Sequence, residues 1–271
     1  MTLLVLRSFT TKASRHQDTR EFLRTSMLWW LVFFFSLPLA LLHAQTPSGA
    51  EILSRVDEAM TAKTRVVTAE MTIHGRREGR TIGFKSWVRG DSQSFTEYLY
   101  PAREEGTKML KLGDELWTYS PSSDRVIKLS GHMLRQSVMG SDLSYEDMME
   151  DRTLRDIYDA EVTGEDTLLE RPCWVLTLTA NTEDVAYHTR EVWVDKTRYI
   201  ALKESRYAKS GTLLKTTEVE EVKRLSGRWT ATRAKFKDVL KGGEGTEFSI
   251  QSIEYNAEIP ENIFSKAALR E

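Results

Sequence analysis

From Val66 to Tyr255 the chain keeps returning to a period of two, in short runs separated by turn residues. Strands spaced about ten residues apart with turn chemistry between them point to a large antiparallel sheet or barrel. In the first run Val67, Ala69, Met71 and Ile73 share one face, while Thr68, Glu70, Thr72 and His74 share the other. Arg76-Arg77-Glu78-Gly79 turns the chain into Thr81–Arg89, where Ile82, Phe84 and Val88 oppose Lys85, Trp87 and Arg89. After Gly90-Asp91, the run Gln93–Tyr100 sets Tyr98 and Tyr100 against Phe95 and Leu99, and Pro101 ends it. Thr107–Leu112, a Gly113-Asp114 turn and Glu115–Ser120 form a hairpin, followed by Arg125–Leu129. Strands resume near Tyr158 and continue as Cys173–Thr179, His188–Asp195, Ile200–Tyr207, Leu213–Leu225, Arg228–Lys237 and Gly245–Tyr255. No Pro/Ser/Gly linker divides this series.

Two stretches break the rhythm. Ser48-Gly49-Ala50-Glu51 is a capping box, and Ile52, Leu53, Val56, Ala59 and Met60 then recur at helical spacing, so a helix is expected over Gly49–Ala62. Gly131 to Asp151 has no alternation and reads as two short helical pieces, His132–Val138 and Tyr145–Met149, split by Gly140-Ser141-Asp142. Four of the nine methionines fall there: Met133, Met139, Met148 and Met149. Methionine is flexible and is over-used where a surface must fit varied apolar ligands. A Met-rich flap after a β-meander therefore suggests a lid over an apolar cavity. A flap packed directly on the sheet is the plainer reading of the same pattern.

The beginning of the chain is not part of that fold. Arg20 and Arg24 precede an apolar run, Met27–Leu42, and a small-residue exit at Ala44, the pattern of an export signal. Residues 1–44 are thus expected to be a signal peptide that exports the rest, with an uncleaved anchor as the alternative, and 45–271 one β-domain with a helical lid over about 131–151. Without residues 1–44 the chain carries 33 basic and 38 acidic residues, a net charge of −5. That sign suits nucleic acid poorly. With Cys173 as the single cysteine there is no internal disulfide, and the core must hold the fold.

Chemistry is hard to find. His74, His132 and His188 are far apart in sequence and have no metal-ligand spacing. There is no GxSxG elbow, and Gly242-Gly243-Glu244-Gly245 reads as a turn. Cys173 reads as a buried structural thiol. Asp142, Glu146, Asp147, Glu150 and Asp151 lack the spacing of a calcium loop and read as a solvated lid face or a docking patch for a basic partner. Trp87, Trp117, Trp174, Trp193 and Trp229 all fall on expected strands, where they either fill core or line a lipid-sized cavity. No catalysis, metal or cofactor is expected.

The segment Gly113-Asp114-Glu115-Leu116-Trp117-Thr118-Tyr119-Ser120-Pro121, then Arg125-Val126-Ile127-Lys128, then Gly140-Ser141-Asp142-Leu143-Ser144-Tyr145-Glu146-Asp147-Met148 resembles the outer membrane lipoprotein-sorting family, relatives of the periplasmic carrier LolA. The likeness continues through Trp193-Val194-Asp195-Lys196 and the Ser210-Gly211 turn. It implies a curved, open antiparallel half-barrel with a few helices covering its open side, and a cavity for acyl chains of lipoproteins or lipids. It also implies a partner of the inner-membrane RND or MMPL transporter type. On that reading Met109, Trp117, Met133, Leu134, Met139, Tyr145, Met148 and Met149, with Trp87 and Tyr98, line the cavity or its lid. A competing class is a non-catalytic envelope scaffold with a filled interior, an accessory to such a transporter without lipid cargo.

Overall fold

The computed structural model describes residues 46–75, 79–150 and 153–271. The expected signal, the turn at 76–78 and Asp151 lie outside the described residues. Helix α1 (Gly49–Met60) opens on the capping box read from the sequence. The Glu51 amide donates to Ser48 Oγ at 3.2 Å, and the Ser48 amide donates to the Glu51 carboxylate at 2.7 Å. The strands are β1 (Thr64–His74), β2 (Gly79–Arg89), β3 (Gln93–Tyr100), β4 (Lys108–Leu112), β5 (Glu115–Ser120) and β6 (Arg125–Leu129). After the flap come β7 (Tyr158–Leu168), β8 (Arg171–Ala180), β9 (Thr189–Asp195), β10 (Ala201–Tyr207), β11 (Leu213–Leu225), β12 (Arg228–Asp238) and β13 (Gly245–Tyr255). All of these elements belong to one unit, Pro47–Glu271.

The described strands form one antiparallel sheet in the order β6-β5-β4-β3-β2-β1-β13-β12-β11-β10-β9-β8-β7. Two meanders are joined through the pairing of β1 with β13. The sheet is not closed, since β6 and β7 are its two edges. The connection between those edges, residues 130–157, must therefore cross the whole sheet, and it is the flap. The expected open antiparallel architecture with a few helices is what the chain adopts. The first helical piece of the flap is instead two 3₁₀ turns, Gly131–Arg135 and Val138–Gly140. Short helices α2 (Tyr145–Met149) and α3 (Leu154–Ile157) follow.

Three apolar clusters hold the unit. Ile52, Leu53 and Val56 of α1 pack on Leu176, Val192 and Val194 of β8 and β9. Met71, Ile82, Tyr98 and Met109 of β1–β4 pack beneath the flap. Phe95 and Leu110, on the opposite face, are covered by the C-terminal tail through Phe264 and Leu269. Alternation explains this split: in β3, Phe95 and Tyr98 have opposite parity and enter opposite cores.

The seat of α1 on β7 depends on Gly49. A Cβ there would lie 2.3 Å from the Ala160 carbonyl oxygen. Gly49→Ala should therefore lose stability by about 1–3 kcal/mol through overpacking, despite alanine's better helix propensity. A lower urea midpoint at unchanged m-value is the expected result. An unchanged or higher midpoint would mean that α1 does not rest on β7 in this way.

Candidate functional site

A cavity of about 430 Å³ lies between α1, the sheet and the end of the flap. Its helix wall is Leu53, Val56, Asp57 and Met60. One strand wall comes from β2–β4, with Val88, Ser94 and Lys111. The other comes from β9 and β10, with Arg190, Val192, Val194, Ala201, Glu204 and Arg206. Strands β4 and β9 stand eight places apart in the sheet. Neighbouring strands are about 4.8 Å apart, so a flat sheet would hold these two walls far beyond the span of one such cavity. The sheet must curl for both to border it. Two consecutive flap residues bridge the gap. Lys111 Nζ of β4 donates to the Met149 carbonyl at 3.2 Å, and the Glu150 carboxylate pairs with Arg190 of β9.

The cavity is apolar on the helix side except at Asp57, and charged on its floor. Arg190, only 2% exposed, donates from Nη1 to Glu204 at 2.9 Å, from Nε to Tyr158 Oη at 2.9 Å, and from Nη2 to Glu150. Arg206 donates to the second Glu204 oxygen at 2.7 Å and to Asp147 at 3.4 Å. Asp147 also accepts from Tyr187 Oη at 2.6 Å and from Lys215 Nζ. At the same time it completes the capping box of α2, accepting from the Ser144 amide at 2.7 Å. Arginine's planar fork suits such shared carboxylates, which explains why two arginines rather than lysines meet Glu204. Burial pushes the Glu204 carboxyl up, but the charges of Arg206 and Arg190 and their hydrogen bonds overcome it and hold it down to about 2. Asp147 is likewise pushed up by burial, yet the hydrogen bonds from Lys215 and Tyr187 keep it below the ordinary carboxylate range. A second hollow of about 420 Å³ borders the other flank of the flap, between Ser144, Tyr187 and Lys241.

Seven of the ten expected lining residues meet on one face. Tyr98 and Met109 are buried in the sheet, with Tyr98 Oη 3.2 Å from Met109 Sδ, and Met133, Leu134, Met139, Tyr145 and Met149 of the flap pack on their cluster. They form a closed pack beside the cavity. Met148 borders the cavity itself. Trp87 and Trp117 are elsewhere, on the opposite face beneath the C-terminal tail. Of the acidic stretch, Asp142 and Asp147 are turned inward rather than solvated, while Glu150 is exposed at the cavity rim. Asp142 accepts from Thr246 Oγ1 at 2.8 Å and from the Asp238 amide at 3.0 Å, and Asp147 and Glu150 bind the floor. Cys173 is buried in β8, where burial pushes its thiol up. Among the described residues no group of three or more His, Cys, Asp or Glu side chains is placed to hold a metal ion.

The floor charges and the α1 wall escaped the sequence reading. A signal existed: Arg190 has the same parity as Val192 and Val194, so it was bound for the same buried face.

A family model described as "-like: Uncharacterized protein" matches residues 90–271. The chain is similar to a DUF1329 family protein from Desulfovibrio piger, with 25% identity, a TM-score of 0.75, and 82% of this chain and 97% of that chain covered. It is similar to a protein from Vibrio parahaemolyticus described as an outer membrane lipoprotein-sorting protein domain, with 24% identity, a TM-score of 0.72, and 82% and 98% covered. A LolA superfamily protein from Nitrosomonas europaea shares the fold at 24% identity and a TM-score of 0.67, with 82% and 100% covered. No curated protein matches.

Proposed function

The chain belongs to a LolA-like family, and from that premise we propose that it is a non-catalytic periplasmic carrier of acyl chains from lipoproteins or lipids. The observation that carries this reading is the cavity between α1 and the curled sheet, apolar on one wall and closed at one end by the flap. Its volume of about 430 Å³ falls within the roughly 300–1,000 Å³ of small-molecule sites. Burying an acyl chain of about sixteen carbons offers on the order of 10 kcal/mol at roughly 0.8 kcal/mol per CH₂. Lifting the flap (about 131–151) extends the site over the neighbouring Met109, Met133, Leu134, Met139, Tyr145 and Met149. Lids of this kind gate loading and release.

Residues 1–44 act as the export signal on this reading, and 45–271 are the carrier domain. Its partner at the membrane is a transporter of the RND or MMPL type, as the resemblance implies. Native mass spectrometry of the protein purified from its host's periplasm, followed by lipid extraction, tests the reading. A stoichiometric acylated species is expected. Bare polypeptide that also refuses a fluorescent acyl probe would sink the carrier and leave the accessory scaffold. Ala201→Phe, which fills the cavity from β10, should weaken probe uptake about tenfold or more at an overpacking cost of about 1–3 kcal/mol. Unchanged uptake by that variant would place the chain outside this cavity.

A further inference from the structure

We propose that the cavity also binds the anionic head of its acyl ligand, a carboxylate or phosphate, on Arg190 and Arg206 in the place now held by Glu150. This rests on the carrier reading and specifies the ligand. Three cations (Arg190, Arg206, Lys215) meet three carboxylates (Glu150, Glu204, Asp147) on the floor. The carboxylates are not equivalent. The Asp147 side chain is 4% exposed and that of Glu204 14%, and both are held by two cations each. The Glu150 side chain is 29% exposed, borders the cavity and is held by Arg190 alone among these cations. It belongs to the flap, whereas Arg190 and Arg206 belong to the sheet.

When the flap lifts, Glu150 and Asp147 leave with it, and Glu204 alone remains against Arg190, Arg206 and Lys215 of the sheet, so two positive charges on the floor are unmatched. A buried charge without its partner is costly, so the open state selects an anion. Arg206 adds a second reason, because its buried Nε–H has no acceptor and it borders the same cavity. An acid oxygen from a ligand satisfies it, whereas Glu150 on Arg190 does not. Asp57 of the helix wall also keeps one carboxylate oxygen without a donor. That oxygen suits a head that also carries a hydroxyl or an amine. Exchange of Glu150 for the head makes loading and unlatching one event.

The test titrates the purified protein with dodecanol, dodecanoate, dodecyl phosphate and dodecyltrimethylammonium, each below its micelle concentration. Both anions should bind roughly 10- to 100-fold tighter than the alcohol, the range of a charge-assisted hydrogen bond, and the cation no tighter than it. Glu150→Gln removes the competitor and should raise the ratio of anion to alcohol affinity about tenfold. Arg206→Lys, which deletes the Nε donor, should lower the ratio of anion to alcohol affinity. Preference between phosphate and carboxylate tells a phospholipid head from a fatty acid. If wild type and Glu150→Gln bind the alcohol and the anions equally, the head site is overturned and the carrier stands. If no probe binds, the alcohol included, the carrier falls and the head site with it.

Discussion

Arg190→Met should cost the fold about 3–5 kcal/mol, the penalty for removing one partner of a buried ion pair. In a domain of this size that lowers Tm by roughly 10 °C. Methionine fills much of the arginine's space, so the loss is electrostatic rather than a cavity effect. Glu204 would keep one arginine instead of two, Glu150 would lose its hold on the sheet, and Tyr158 would lose a donor. Thermal unfolding of the single variant and of Arg190→Met with Glu204→Gln checks the cause. The double variant should lose less than the sum of the two singles, because Glu204 is stranded only while it is charged. Additive losses, or a single variant within about 1 kcal/mol of wild type, would mean that the network is not coupled as the distances imply.

Acid should remove much of the same stability. The Glu204 carboxyl is held down from an ordinary 4.5 to about 2, and Asp147 is lowered from 3.8. A carboxyl whose folded pKa is depressed stabilises the fold above its unfolded pKa, and that contribution disappears as pH falls through the folded value. Stability should thus be level from pH 7 to about 5 and fall between about pH 4.5 and 2, with Glu204 accounting for on the order of 3 kcal/mol. Urea midpoints across that range in wild type and Glu204→Gln read it directly. Glu204→Gln should start lower and show a shallower acid slope. Identical slopes would place the acid sensitivity elsewhere.

The face of each strand residue was more legible than the expected lining suggests. The two-residue turn Gly113-Asp114 pairs Leu112 with Glu115, which sets Trp117 opposite Leu110 and Thr118 opposite Met109. Side chains alternate along a strand, so Met109 and Trp117 had to lie on different faces. The same ladder carries Trp87 opposite Phe95 and Phe95 opposite Leu110, a continuous row under the C-terminal tail. Those tryptophans fill core. The flap residues, by contrast, were found by composition: Met133, Met139 and Met149 pack with Leu134 and Tyr145 on Tyr98 and Met109. Which side of the flap is hollow was not written in that composition. The cavity lies toward α1, whose apolar stripe is shared between core packing and the cavity wall.

Local patterns by themselves determined the strands, most of their turns, the capped helix α1 and the interruption that becomes the flap, because alternation, capping and turn chemistry act over a few residues. Only the tertiary structure decided the pairing of β1 with β13, the curl that brings β4 and β9 to one cavity, and the meeting of Glu150 with Arg190. Those contacts join residues distant in sequence or separated by the full width of the sheet. No local preference encodes them; they form because one curled sheet leaves its buried charges no other partners.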